Sequence, residues 1–137
     1  MHKIFFLLLL IFSCSASAEQ RSTGSDNARL YFITPQHNAT VKGEFTVHFG
    51  LKGFGLAPAG VNTKNTGHHH LIIDAPLPSL GKPIPANTNY RHFGGGQTEV
   101  NLKLEPGTHT LQLLLGNYLH TPHFPPIMSK QITVTVE

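Results

Sequence analysis

Alternation of apolar and polar residues with a period of two is the feature that most restricts the fold of this chain. It is clearest from Glu44 to Lys52, where one face carries only apolar residues: Phe45, Val47, Phe49 and Leu51. The same period recurs in three later segments, at residues 97–104, 108–116 and 130–136. No segment of the mature chain has the 3.6-residue period of an amphipathic helix, so the pattern predicts strands throughout.

Stretches rich in glycine and proline separate these segments. The longest are Gly53–Gly67, Pro76–Asn89 and Tyr118–Ser129, and proline is excluded from helix interiors and central strands. With the shorter apolar segments Arg29–Thr34 and His68–Asp74, the chain has six to seven short strands with turns between them. This organisation predicts an all-β fold, a single antiparallel β-sandwich of immunoglobulin-like type with long Gly/Pro-rich loops.

The first 18 residues have the three-part pattern of a secretory signal peptide. Lys3 precedes an unbroken apolar run from Ile4 to Phe12, and cleavage is expected after Ala18. The run is shorter than the about 20 residues that span a bilayer, and no later segment approaches that length. The mature chain is therefore predicted to be periplasmic, without a transmembrane segment. A lipoprotein acylated at Cys14 is the alternative, although the bulky Phe12 suits such a site poorly.

Cleavage at this position divides the chain into three parts. Residues 1–18 are the signal peptide, the polar residues 19–27 are a flexible N-terminal tether, and residues 28–137 form the β-sandwich domain. The mature chain has no cysteine, which excludes disulfides and thiolate sites. Without Lys3, nine basic residues remain against seven acidic ones. A formal charge near +2 is too small and scattered to indicate nucleic-acid binding.

Three consecutive histidines, His68 to His70, are the strongest sign of a functional site. Neutral imidazoles are good ligands for copper and zinc near pH 7. Because side chains alternate along a strand, His68 and His70 share one face, about 6–7 Å apart. His69 has the parity of Leu71 and Ile73, so we expect it to point inward and to be hydrogen-bonded beneath the site.

A metal ion needs further ligands, and the loops offer them. His120 and His123 lie in a proline-rich loop, His92 precedes three glycines, and Met128 offers a thioether that would favour copper, especially Cu(I). The sequence thus predicts a copper site, or less favourably a zinc site, with six candidate ligands: His68, His70, His120, His123, His92 and Met128. Loop Gly53–Gly67 is expected to gate this site.

The same residues are also compatible with roles that involve no metal. The triplet could form a polar strand end, and the loop histidines could bond to the backbone. A non-metal module could instead recognise a cell-envelope glycan, peptide or protein through aromatic residues: Phe54, Tyr90, Phe93, Tyr118 and Phe124. Catalysis is less favoured, because Ser79 and Ser129 lack a nucleophile-elbow context. An Asp74–His70 pair would have no nucleophile beside it.

Three segments carry a family resemblance: Gly67–Asp74, His92–Glu99 and Pro106–Gly116. With the tail His120–Pro126, they make the chain resemble an exported bacterial family catalogued as domain of unknown function 4399, from about Arg29 to Val136. The resemblance implies a single exported domain from a bacterium and no particular activity. Asn117 stands where an aspartate is expected in that family, and it is therefore not among the predicted ligands.

Overall fold

A computed structural model describes residues 21–137 of the protein. The predicted signal peptide and the Cys14 alternative concern residues outside this range. The described residues form nine strands: β1 (Arg29–Thr34), β2 (Ala39–Val41), β3 (Glu44–Lys52), β4 (Gly55–Leu56), β5 (Thr66–Ile73), β6 (Tyr90–His92), β7 (Glu99–Lys103), β8 (Gly107–Gly116) and β9 (Ile132–Val136). Within this range no helix is long and apolar enough to cross a membrane.

The strands form two sheets. The smaller sheet has the order β1-β3-β7, and the larger has the order β2-β9-β8-β5-β4, with β6 paired to the end of β5. All pairs are antiparallel except β2 with β9 and β4 with β5. The predicted all-β sandwich is confirmed, whereas its immunoglobulin-like type stays a prediction.

The main core lies between the two sheets. Alternate leucines of β8, Leu111, Leu113 and Leu115, are fully buried there against Val47 and Phe49 of β3. Burying one such side chain contributes about 1.5–3 kcal/mol. This layer is the physical reason for the period of two, because residues at i and i+2 face the same side of a strand.

The outer face of the larger sheet is also covered. Ile72 of β5 and Leu114 of β8 pack against Ile84, which comes from the proline-rich loop Pro76–Asn89. Strand β5 is consequently buried on both faces from Gly67 to Ile73, as is usual for strands near the centre of a covered sheet. Polar side chains on either face of β5 are therefore withdrawn from water.

The three strands that the alternation does not predict are β2, β4 and β6. Each has two or three residues, too few to show a period. Strand β4 lies within the predicted loop Gly53–Gly67, and its backbone pairs with the start of β5. These short strands form because tertiary contacts bring their backbones to a neighbouring strand, a non-local effect that propensity does not report.

Part of the predicted tether lies against the domain. The Arg21 guanidinium donates hydrogen bonds to the carbonyls of Pro122, at 3.2 Å, and His123, at 2.7 Å. The N–H of Gly24 donates to the carbonyl of Phe124, and the N–H of Phe124 donates to that of Ser22. Residues 21–24 thus act as a strap across the loop after β8, held by backbone pairing that polar composition does not indicate.

Candidate metal centre

Three of the predicted ligands meet on the outer face of the larger sheet because of strand register. His68 and His70 of β5 are fully buried, 0% and 1% exposed. His70 lies directly opposite His92 of β6, and His68 lies opposite Gly116 of β8. Residues paired across antiparallel strands project to the same face. The pairing therefore brings the His92 ring, which is exposed, beside the two buried rings.

His120 reaches the same face through a tight loop after β8. The side-chain oxygen of Asn117 accepts hydrogen bonds from the N–H groups of Leu119 and Thr121, at 2.9 and 3.0 Å. His120 itself has a φ of 64°, a left-handed conformation that Asn117 supports by accepting the His120 N–H at its carbonyl. The His120 carbonyl in turn accepts the N–H of Ile84, which ties this loop to the loop covering the sheet.

The four imidazoles converge. One nitrogen from each of His68, His70, His92 and His120 lies within 4.8 Å of all the others. His68 Nε2 and His120 Nδ1 are 3.1 Å apart, and the His92 and His120 ring centroids are 4.6 Å apart. Metal–imidazole bonds of about 2.0–2.1 Å let one ion bridge nitrogens up to about 4 Å apart. Binding of one ion therefore requires the rings to close the remaining difference, and among them His92 is exposed.

Glycines provide the space for this convergence. A Cβ at Gly116 would lie 2.6 Å from Cε1 of His70, and a Cβ at Gly94 would clash with the ring of His92. The first ring is buried and can move only by displacing its neighbours, whereas the second is exposed. Gly116 is thus a structural requirement for the position of His70, a role that its place at the end of a leucine-rich strand does not reveal.

Burial keeps the inner imidazoles neutral. It is the largest cause that lowers the pKa of His68 to about 4 and that of His70 to about 2, and the nearby rings of His92 and His120 add to both shifts. Burial and His120 also lower the pKa of His92. At neutral pH these three rings are therefore uncharged, and the uncharged imidazole is the form that binds a metal.

Two buried nitrogens of these histidines also make no hydrogen bond within the described part of the chain. Nδ1 of His68 and Nδ1 of His70 have no hydrogen-bond partner among residues 21–137. Burying polar nitrogens without partners costs free energy. The group that converges here consists of histidines alone, a donor set suited to copper or zinc and unsuited to calcium or magnesium. These residues fit a transition metal ion.

His69 points inward as predicted. Its ring packs on Phe49, with 5.1 Å between centroids, and burial lowers its pKa to about 4. The expected hydrogen bond is wrong, since neither ring nitrogen has a partner among the described residues. On the inner face of β5 the ring meets Phe49 of β3, whose side chain offers no hydrogen-bond partner.

The other two predicted ligands lie elsewhere. Nε2 of His123 donates to the carbonyl of Thr66 at 3.1 Å, and its ring meets the edge of Phe54. The backbone of Met128 pairs with Leu114 on the edge of β8 opposite the edge that pairs with His70. Met128 also lines a separate groove. The structure therefore brings together His68, His70, His92 and His120, and it leaves His123 and Met128 outside that group.

Loop Gly53–Gly67, the predicted gate, contacts the loop that follows His92 and the loop that carries His120. The N–H of Ala59 donates to the carbonyl of Gly94, and the N–H of Gly60 donates to that of Tyr118. The acceptor residues Gly94 and Tyr118 are each two residues from a converging histidine. The position suits a gate, while the gating motion itself stays a prediction.

Asn117, which is not among the predicted ligands, holds the loop that carries His120. We expect Asn117→Leu to destabilise the domain by about 1–3 kcal/mol, because two N–H groups of the loop lose their acceptor. It should also weaken metal binding by freeing His120. Denaturant unfolding and a metal titration measure the two effects. Asn117→Asp keeps the acceptor oxygen and is the matched control, and equal losses in both variants would contradict this role.

Asp74 pairs with His109 and not with His70. His109 donates from Nδ1 to Asp74 Oδ2 at 2.6 Å and from Nε2 to the Glu105 carbonyl at 2.7 Å. Two donating nitrogens require the imidazolium form. The hydrogen bond to Asp74 is the largest cause that raises the pKa of His109, followed by the bond to Glu105.

This pair predicts a pH-dependent contribution to stability. A raised folded-state pKa stabilises the protein fully below the unfolded value of 6.5, and the contribution is lost as pH rises through the folded pKa. Asp74→Asn should therefore cost more stability at pH 6 than at pH 9, by less than about 1 kcal/mol because the pair is partly exposed. Urea unfolding at both pH values tests it, and equal losses would refute it.

Comparison with known protein families identifies a match over most of the chain. The family model described as Domain of unknown function (DUF4399) matches residues 47–137, which include all four converging histidines. No curated protein and no solved structure matches the chain. The match covers more than half of the chain, and the protein therefore belongs to the DUF4399 family, as the resemblance of its histidine and glycine segments indicated.

Proposed function

We propose that this protein binds one transition metal ion through His68, His70, His92 and His120, and that it serves metal handling or storage in the bacterial periplasm. The observation that carries the proposal is the convergence of four imidazole nitrogens within 4.8 Å. Two of these rings are buried and neutral, and the others come from β6 and from the loop after β8. Export is inferred from the composition of residues 1–18.

Copper is favoured over zinc. Divalent copper binds nitrogen ligands more tightly than zinc in the usual order of affinities. The thioether of Met128 does not support this preference, since Met128 lies across β8 from β5. When bound, the ion would supply a positive charge beside the two buried, neutral rings of His68 and His70. The exposed His92 and the half-buried His120 form the side of the site from which an ion can enter.

Calorimetric titration of the chain from Glu19 tests the proposal. We expect one equivalent of Cu(II), and more weakly Zn(II), to bind with a dissociation constant below about 1 µM, or about 8 kcal/mol. Cu(I) is titrated anaerobically to compare oxidation states. His68→Ala/His70→Ala should abolish this binding, while the exposed-site control His37→Ala should retain it. Weak multi-site binding that survives the double substitution would overturn the proposal.

A second pair of variants tests the ligand set. His92→Ala should weaken binding by about tenfold or more, because an ion loses one of its four ligands. His123→Gln keeps a donor toward the Thr66 carbonyl and should leave the affinity unchanged. If His123→Gln weakened binding as much as His92→Ala, His123 would be a ligand and the four-histidine assignment would be wrong.

The alternative of a recognition module built on the predicted aromatic residues has less support. Phe93 is buried in the main core against Phe49, and Phe54 packs on His123. Tyr90 belongs to the cluster on the outer face, and Phe124 is 65% exposed. With Phe93 in the core, the five aromatic side chains do not form one exposed patch. A different surface, beside β1, does favour a binding role.

A further inference from the structure

A groove runs along the edge of β1. It has a volume of about 570 Å³, within the size range of ligand sites. One wall is the continuous segment from Ala28 to Phe32, and the other consists of Met128 to Lys130 with Ile132. None of the four converging histidines lines it. Its use is therefore independent of the proposed metal site.

The groove follows the hydrogen-bonding edge of the strand. Side chains of successive strand residues point to opposite faces, yet the buried Leu30 and Phe32 and the exposed Arg29 and Tyr31 all line the groove. A cavity that runs alongside the backbone of β1 contacts both sets. One edge of β1 pairs with β3. Among residues 21–137 no strand pairs with the edge that faces the groove. Unpaired edges are templates for a further strand.

The rim of the groove is cationic. Arg29, Lys52 and Lys130 line it and are exposed, and no aspartate or glutamate does so. The floor is apolar, from Leu30 and Phe32 to Ile132, and Met128 and Tyr31 remain 39% and 37% exposed there. A ligand that fits has negative charges along its length, with apolar groups between them.

We propose that this groove binds an extended acidic peptide segment of a partner protein, which adds to β1 as an antiparallel or parallel strand. Its backbone would complete the hydrogen bonds of β1. Its acidic side chains would meet Arg29, Lys52 and Lys130, while alternate apolar side chains would cover the floor. β1 has six residues, so a partner segment of about six residues spans about 20 Å of edge. A fatty acid would place its carboxylate beside the cationic rim and its alkyl chain on the apolar floor. It would leave the hydrogen-bonding groups of the β1 edge unpaired.

The test uses the model peptide acetyl-Glu-Val-Thr-Val-Glu-Val-amide and the ¹⁵N-labelled, metal-free protein. We expect saturable shifts of the backbone amide signals of Ala28–Thr34 and Met128–Ile132, with slower hydrogen exchange in β1. Two control peptides separate the contributions. One has lysine in place of glutamate, and the other has N-methylated backbone at alternate residues, which removes hydrogen-bond donors. Both should bind at least about tenfold more weakly.

The double variant Arg29→Glu/Lys130→Glu reverses two exposed charges and should fold normally. We expect it to weaken binding of the acidic peptide by about tenfold or more and to improve binding of the lysine peptide. Lys42→Glu, on an exposed residue outside the groove, is the matched control. Absence of shifts in β1, or equal binding of all three peptides, would overturn the proposal. If dodecanoate shifted these amides and the acidic peptide did not, the groove would be an amphiphile site and the proposal would be wrong.

Discussion

Acidification of the metal-free domain from pH 6.5 to pH 4 should lower its free energy of unfolding by several kcal/mol. His68 and His69 have folded-state pKa values of about 4, and His70 of about 2, against 6.5 for an unperturbed histidine. Between these values the unfolded chain binds protons that the folded chain excludes, so stability is lost as pH falls below 6.5. One pKa unit corresponds to about 1.4 kcal/mol.

Urea unfolding at half-unit pH intervals measures this loss, and His69→Leu is the informative variant. Leucine has a similar size and no nitrogen atoms to bury, so the variant should be more stable than the wild type at pH 7, by about 1–3 kcal/mol. Its stability should also fall less steeply as pH is lowered, because one of the buried imidazoles no longer titrates. A wild-type stability that is flat from pH 7 to 4.5 would contradict the neutral, buried state of these rings.

Gly116→Ala should weaken metal binding by more than about tenfold and destabilise the fold by about 1–3 kcal/mol. The new methyl group would lie 2.6 Å from Cε1 and 3.1 Å from Nδ1 of His70. The ring is buried between β8, β6 and the covering loops, so it can move only by displacing its neighbours. Binding and folding should therefore fail together. Metal titration and thermal unfolding measure the two losses.

Gly94→Ala is the control for this prediction. Its added methyl group also meets a cluster ring, that of His92, but this ring is exposed and free to rotate. We expect weaker metal binding with little change in the melting temperature. Equal destabilisation by Gly116→Ala and Gly94→Ala would show that the missing side chain at Gly116 is not what permits the position of the His70 ring.

Local sequence pattern was sufficient for the strands that carry the core. A period of two in β3 and β8 reflects the burial of Phe49 or Leu113 on one side, and the observed bounds of β3 agree with those predicted. The histidine triplet likewise indicated the site, because the parity of a strand separates His68 and His70 from His69. These features depend only on neighbours along the chain.

The complete set of converging residues depended on non-local contacts. His120 and His123 are three residues apart in one proline-rich loop, and composition does not distinguish them. The Asn117 turn and the left-handed backbone at His120 direct one ring to the cluster, while His123 bonds to Thr66. Met128 was favoured for its chemistry, but chain proximity to His123 says little about its position in space.

Alternating hydrophobicity and the placement of proline and glycine determined the fold class, because each acts through the backbone geometry of a few adjacent residues. Tertiary structure alone decided the register of His70 with His92, the choice of His120 and the glycine space that admits the rings. A metal centre requires atoms from distant segments to agree within about 1 Å. That agreement arises from packing and pairing across the sandwich, which no local pattern encodes.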